Sequence, residues 1–153
     1  SSSRRGHCIR SANMGDFCLP SAELELRVPF HDVDAMGVVW HGNYFRYLEQ
    51  ARCELLRQID YDYRQMEASG YLWPVVDTRL KFITPLRFDQ LIRVCVSVSE
   101  FENRLRLEYQ ILDAESGVRA CKGYTIQVAV AKVSGEMQWL SPPILLQRLG
   151  VSA

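Results

Sequence analysis

Between Phe30 and Arg52 the chain sets two acids, Asp32 and Asp34, a glycine at position 37 and the run His41-Gly42-Asn43 directly ahead of an amphipathic segment. These residue types suit work on a carbonyl. A carboxylate can attack it or deprotonate a water that does. Unpaired backbone amides at a helix start can stabilise the oxyanion that forms, an effect of roughly 3–4 kcal/mol per well-aimed donor. Asp34, His41 and Gly42 are therefore the candidate catalytic residues, with Asp34 placed seven positions before His41 across a turn that Gly37 can make at positive φ.

The element that must position them is a helix beginning near Asn43, a preferred N-cap residue. Tyr44, Tyr47, Leu48, Ala51, Leu55 and Ile59 recur at the spacing of one helical face, and Arg46, Glu49, Gln50, Arg52 and Arg57 occupy the other. The aromatics Tyr44, Phe45 and Tyr47 belong to the core by that spacing, and Tyr44 is also placed to stack against an acyl group. Ahead of the loop, Leu24, Leu26 and Val28 alternate with charged residues in a half-buried strand ending at Pro29. A short second helix is expected over 60–70, ended by Gly70. Strands follow at 75–83, 91–101 and 104–112, and a long bent or bulged strand at 118–133, with turns at Glu102-Asn103 and Glu115-Ser116-Gly117.

Strand, helix, then four or more antiparallel strands make an α+β domain. One helix cannot cover such a sheet, so exposed edges and apolar surface predict self-association. Residues 1–20 read as an irregular leader and residues 21–153 as a single domain. The 18 basic and 18 acidic side chains cancel, so neither bulk nucleic-acid binding nor attraction to an anionic membrane is indicated. Five cysteines without a Cys-x-x-Cys pair, beside three histidines, suggest neither a disulfide framework nor a metal site, and point to a reducing cytoplasm. No apolar run reaches the roughly 18–20 residues that cross a bilayer, and no secretory signal core is evident.

The run Asp-Val-Asp-Ala-Met-Gly-Val-Val-Trp-His-Gly-Asn-Tyr-Phe-Arg-Tyr-Leu-Glu-Gln-Ala-Arg resembles the signature of the 4-hydroxybenzoyl-CoA thioesterase family of hot-dog-fold enzymes, Asp-x-Asp-x-x-Gly-x-Val-x-His/Tyr-x-x-Tyr followed by an aromatic-rich helix. The resemblance implies one long central helix wrapped by a five- to six-stranded antiparallel sheet. It implies homodimers that assemble into homotetramers, with active sites at the dimer interface. By the same resemblance, Asp34 matches the catalytic aspartate, nucleophile or general base, and His41 with Gly42 supplies the carbonyl-polarising amides. Asp32 becomes a supporting residue of the substrate site. Arg104, Arg106 and Lys122 become candidates to grip the phosphates of coenzyme A. The substrate implied is an acyl-CoA or acyl-carrier-protein thioester, with no cofactor and no metal.

Other chemistries lack their motifs. There is no Gly-x-Ser-x-Gly elbow, no phosphate loop and no dinucleotide fingerprint. The hydratase and dehydratase patterns of the same superfamily are absent as well. The competing class is a non-catalytic acyl-CoA-binding hot-dog module, against which Asp34 argues, because an apolar binding pocket gains nothing from an acid.

Overall fold

A computed structural model describes residues 19–150. Its elements are β1 (Ser21–Arg27), α1 (Tyr44–Gln58), α2 (Tyr63–Ala68), β2 (Tyr71–Leu72), β3 (Val75–Phe82), β4 (Leu91–Glu100), β5 (Leu105–Asp113), β6 (Arg119–Gln127), β7 (Val130–Ala131) and α3 (Pro143–Leu149). Five strands form one antiparallel sheet in the order β1-β4-β5-β6-β3, and β2 pairs with β7 in a separate ribbon. The leader expected at 1–20 falls almost wholly outside the described residues.

Helix α1 lies across β1 and β4. Its Tyr47, Leu48, Ala51, Leu55 and Leu56 are buried with Ile92, Val94, Val96, Leu105, Leu107 and Ile111 of the central strands. Each such aliphatic side chain contributes roughly 1.5–3 kcal/mol by leaving water. Arg52, expected on the polar face of the helix, is buried instead. Its Nε donates to the Tyr63 hydroxyl at 2.8 Å and its guanidinium pairs with Glu49 at 2.8 Å. A helix wrapped by a sheet has little truly outward surface, and this arginine is kept inside by its partners.

One expected element takes another form and one element is new. The long strand at 118–133 is two, because the chain leaves β3 after Gln127 and pairs Val130–Ala131 with Tyr71–Leu72. Helix α3 was not anticipated; Pro142 precedes it and Gly150, at φ 82°, ends it. The short helix expected over 60–70 is α2, closed at its start by an Asp62/Gln65 capping box. Gly123 of β6 has a close-approach requirement, since a Cβ there would stand 2.1 Å from the Arg79 carbonyl oxygen of β3. Cys53 and Cys121 are free thiols, whereas Cys95 is disulfide-bonded, which departs from the expectation of reduced cysteines throughout.

Strand β3 pairs with β6 on one side only, and seven of its eight residues are exposed, with only Leu80 half-buried. Among the described residues the sheet therefore ends on β3, a long edge strand of the kind that offers its outer backbone groups for pairing.

Candidate active site

The loop between β1 and α1 is shaped by its own polar atoms. Asp34 N–H donates to the Val38 carbonyl at 2.8 Å and Gly37 N–H to the Asp34 carbonyl at 2.9 Å, closing a turn in which Gly37 adopts φ 81°. The Asp34 carboxylate accepts from Met36 N–H at 2.9 Å and from Val38 N–H at 3.4 Å. Both bonds fall on Oδ1, so the carboxylate is held in orientation while its second oxygen takes part in neither. Val38 and Val39 then bridge to Arg87 and to the Leu86 carbonyl, which fastens the loop to the segment after β3.

The helix begins differently from expectation. A 3-10 turn over His41–Asn43 runs directly into α1, and its first internal bond is Asn43 N–H to the Trp40 carbonyl at 2.8 Å. Asn43 has helical φ and ψ and its side chain caps nothing. Instead its Nδ2 donates to the Asp32 carbonyl at 2.9 Å, and its Oδ1 accepts from Arg46. The physical reason is that the Oδ1 a cap would use to accept a backbone N–H is taken by Arg46 while Nδ2 is drawn to the Asp32 carbonyl, and the amides of His41 and Gly42 lie ahead of the first helical bond. Those amides sit at the positive end of the helix dipole.

Asp32, expected in the substrate site, is buried with 1% exposure and reaches no open surface. Its carboxylate accepts from the Tyr47 hydroxyl at 2.7 Å and from the Arg46 guanidinium at 3.0 Å, with His31 Nε2 at 3.5 Å. Its carbonyl takes the Trp40 N–H at 3.1 Å as well as the Asn43 amide. One residue thus fastens the Asp34 loop to the His41 turn and both to α1. Burial first, then the Asp32 hydrogen bond and charge, push the Tyr47 phenol far above its usual range, so it remains a donor.

Asp34, His41 and Tyr44 line one open cleft with Val38, Trp40 and Phe82. Its volume is about 280 Å³ and its walls are mostly apolar or aromatic. Phe82 stands edge-on to Tyr44 with centroids 4.9 Å apart and 6.2 Å from His41, while the Trp40 ring is 5.1 Å from His41. Burial raises the Tyr44 phenol, with a Leu86 backbone hydrogen bond opposing and Cys121 adding a smaller push. Gly42 is required by Trp40 and not by a special φ: a Cβ there would stand 2.2 Å from the indole ring. Trp40, Phe82, Ile83 and Pro85 were not named individually as site residues from the sequence, although Phe82 and Ile83 lie in the stretch 78–84 where the family resemblance implies ligand contacts. Phe82 could have been, because strand alternation puts it on the helix side of β3.

The three basic candidates stand elsewhere in the protomer. Arg104 pairs with Glu100 at 3.2 Å in the β4–β5 hairpin, and Arg106 pairs with Glu108 at 2.7 Å and lies over the Tyr124 ring. Lys122 lines a second cleft on the other side of the sheet. Within one chain none of them lines the Asp34 cleft.

Residues 28–145 match the model of the thioesterase-like superfamily. Over 128 residues the chain is 34% identical to a protein of Synechocystis sp. named provisionally as an esterase, covering 83% of this chain and 77% of that one. It is 32% identical to the acyl-CoA thioesterase YbgC of Haemophilus influenzae, over 63% of this chain and 76% of that protein. Its structure superimposes with a TM-score of 0.74 on a mutant 4-hydroxybenzoyl-CoA thioesterase crystallised with 4-hydroxybenzoyl-CoA, at 17% identity, covering 85% and 99% of the two chains. A hypothetical protein of Aquifex aeolicus superimposes equally well, with a TM-score of 0.74, 27% identity and coverage of 83% and 98%. The fold is the hot-dog arrangement of helix and wrapping sheet.

Proposed function

The chain belongs to the thioesterase-like superfamily, and on that premise we propose that it hydrolyses acyl-CoA thioesters to the free acid and coenzyme A. The observation that carries the reading is the pairing of Asp34 with the His41–Gly42 turn on one cleft. In the scheme, the Asp34 carboxylate attacks the thioester carbonyl or takes a proton from the attacking water. The amides of His41 and Gly42 stabilise the tetrahedral oxyanion. When the oxyanion collapses the C–S bond breaks and coenzyme A leaves as the thiolate, which is protonated; on the general-base route this gives the acid directly, and on the nucleophilic route it gives an acyl–Asp34 anhydride that water hydrolyses, releasing the acid and restoring the carboxylate. The His41 ring, between Trp40 and Phe82, helps wall the acyl end. A thioester carbonyl is electrophilic enough that the scheme uses no cofactor and no metal. Acyl-carrier protein is the other carrier this site would accept in place of coenzyme A.

The active assembly in this proposal is a homodimer, two of which pair into a homotetramer. The exposed β3 edge supports it, because edge-to-edge pairing there would satisfy the strand and extend the sheet. Phe82, at the end of β3, would then bring the partner close to the Asp34 cleft. Arg104, Arg106 and Lys122 stay in the proposal as phosphate-gripping residues only from the partner's side. Among the described residues no helix is long and apolar enough to cross a membrane, and the expected cytoplasmic residence is carried as part of this proposal.

The test is thiol release from acetyl-, butyryl-, octanoyl-, palmitoyl- and benzoyl-CoA. Turnover of at least one member supports hydrolysis and identifies the acyl class. Binding of all without release of thiol would favour the non-catalytic acyl-CoA-binding module.

A further inference from the structure

On the sheet face turned away from α1 there is a second cleft, of about 560 Å³, in which Arg79 and Lys81 of β3 meet Arg119, Lys122 and Tyr124 of β6. It is separate from the Asp34 cleft. Lys81 and Phe82 are neighbours on β3 and point to opposite faces, Phe82 into the Asp34 cleft and Lys81 into this one.

The charge arrangement is unusual for a sheet surface. Lys81 stands directly opposite Lys122 in the β3–β6 register, and Arg79 opposite Tyr124. Side chains so opposed start roughly 4.5–5.5 Å apart, and like charges there destabilise the pairing. Arg119 joins them through a bulge. The register passes from Ile111↔Cys121 to Leu112↔Arg119, so Ala120 is the extra residue and Arg119 turns to the outer face. Simple alternation would have sent it inward with Cys121.

Among the described residues no carboxylate pairs with this group. None of the four cations forms an ion pair with any described residue. Glu108, the acid on the cleft wall, is held by Arg106 at 2.7 Å, and Arg106 in turn lies 4.1 Å over the Tyr124 ring and fixes that wall. Asp77, two positions before Arg79, pairs with neither. The whole chain is charge-neutral, so this concentration is local. A second copy stacked symmetrically on the face would bring two such groups together, which the repulsion opposes.

We propose that this cleft binds a small-molecule diphosphate, one per protomer. Two guanidinium forks and two ammonium groups match the several oxygens and multiple charges of linked phosphates. The volume falls in the range of ordinary small-molecule sites and leaves room beside the phosphates for a nucleoside against Tyr124. The diphosphate chemistry is shared by nucleoside diphosphates and by free coenzyme A, and the site's assignment does not rest on the chemistry at Asp34.

Calorimetric titration of the full chain with inorganic pyrophosphate, ADP and free coenzyme A tests it, comparing wild type with the Arg79→Gln/Lys81→Gln double variant. Pyrophosphate and ADP should each saturate one site per protomer, and the double variant should bind both at least tenfold more weakly. Its melting temperature should be no lower than wild type, since loss of the Lys81 charge relieves the repulsion with Lys122, and its basal thioester turnover should match wild type, because both side chains are exposed and outside the Asp34 cleft. A coenzyme A site lost in the variant identifies the product as the occupant, and loss confined to ADP and pyrophosphate identifies a nucleoside diphosphate. The proposal is overturned if neither pyrophosphate nor ADP binds saturably, or if wild type and variant bind them equally.

Discussion

The Tyr47 hydroxyl donates a 2.7 Å hydrogen bond to the buried Asp32 carboxylate, and this bond ties the first turns of α1 to the loop that presents Asp34. Because the Asp32 carbonyl also holds Trp40 N–H and the Asn43 side chain, the carboxylate loop and the amide turn share one anchor. Tyr47→Phe leaves a buried carboxylate short of a donor. It should lower stability by about 1–3 kcal/mol and reduce kcat more than it changes KM. Denaturant melts together with steady-state kinetics read both effects.

Gly42→Ala should displace the Trp40 indole, since the new methyl would stand 2.2 Å from it. The ring is a side chain and can swing away, so the fold should survive while turnover falls about tenfold, the cost of about 1.4 kcal/mol in transition-state stabilisation. Removing the ring in a Trp40→Ala/Gly42→Ala pair should restore part of the loss. Kinetics of the two variants side by side distinguish this from a direct need for glycine at the oxyanion.

At Gly123 the obstacle is backbone and not side chain. A Cβ would stand 2.1 Å from the Arg79 carbonyl oxygen, so Gly123→Ala must push β3 from β6. The expected loss is about 2 kcal/mol or more, read by thermal melting. If dimers form through β3, sedimentation velocity should also show a shift toward monomer.

The Cys121 thiol gives a pH signature. Burial pushes it up to about 12 from an ordinary value of 9.0. A raised folded-state value means that the unfolded chain loses this proton first. The associated stability is therefore present below pH 9 and is lost as pH rises from 9 toward 12. Cys121→Ala should flatten that alkaline decline, and iodoacetamide at pH 8 should spare Cys121 until the chain unfolds.

Much of this architecture can be read from residue pattern. The alternation in β5, the apolar stripe of α1 and the turn at Gly37 each follow from local physics, and the structure reproduces them; in β4 the alternation is overridden, because Cys95 and Ser97 are buried along with Val94, Val96 and Val98. The misses share a cause in long-range contact. Asn43 reads as a cap, but Arg46 takes its Oδ1 and the Asp32 carbonyl, eleven residues away, takes its Nδ2 hydrogen. Arg52 looked solvated until the sheet wrapped the helix and Tyr63 and Glu49 enclosed it. The splitting of the last long strand depends on Tyr71–Leu72, a pair too short to register as a strand by itself. At the candidate site, the residues of the Asp34 loop and His41 turn were evident, and the aromatic walls were not, because Phe82 reaches the cleft from a strand that follows α1 and α2 in the chain. Asp32 and Asp34 are two residues apart and equally acidic in the sequence; only the fold separates a buried anchor from an exposed carboxylate.

The most direct test of the proposed chemistry is single-turnover and steady-state thiol release by Asp34→Asn beside wild type, on whichever acyl-CoA wild type prefers. The amide keeps the shape and an oxygen for the Met36 amide but can neither attack the carbonyl nor take a proton from water. The account predicts turnover lower by at least about a hundredfold, with unchanged melting temperature and acyl-CoA affinity. Turnover within a few-fold of wild type would contradict it and remove Asp34 from the reaction.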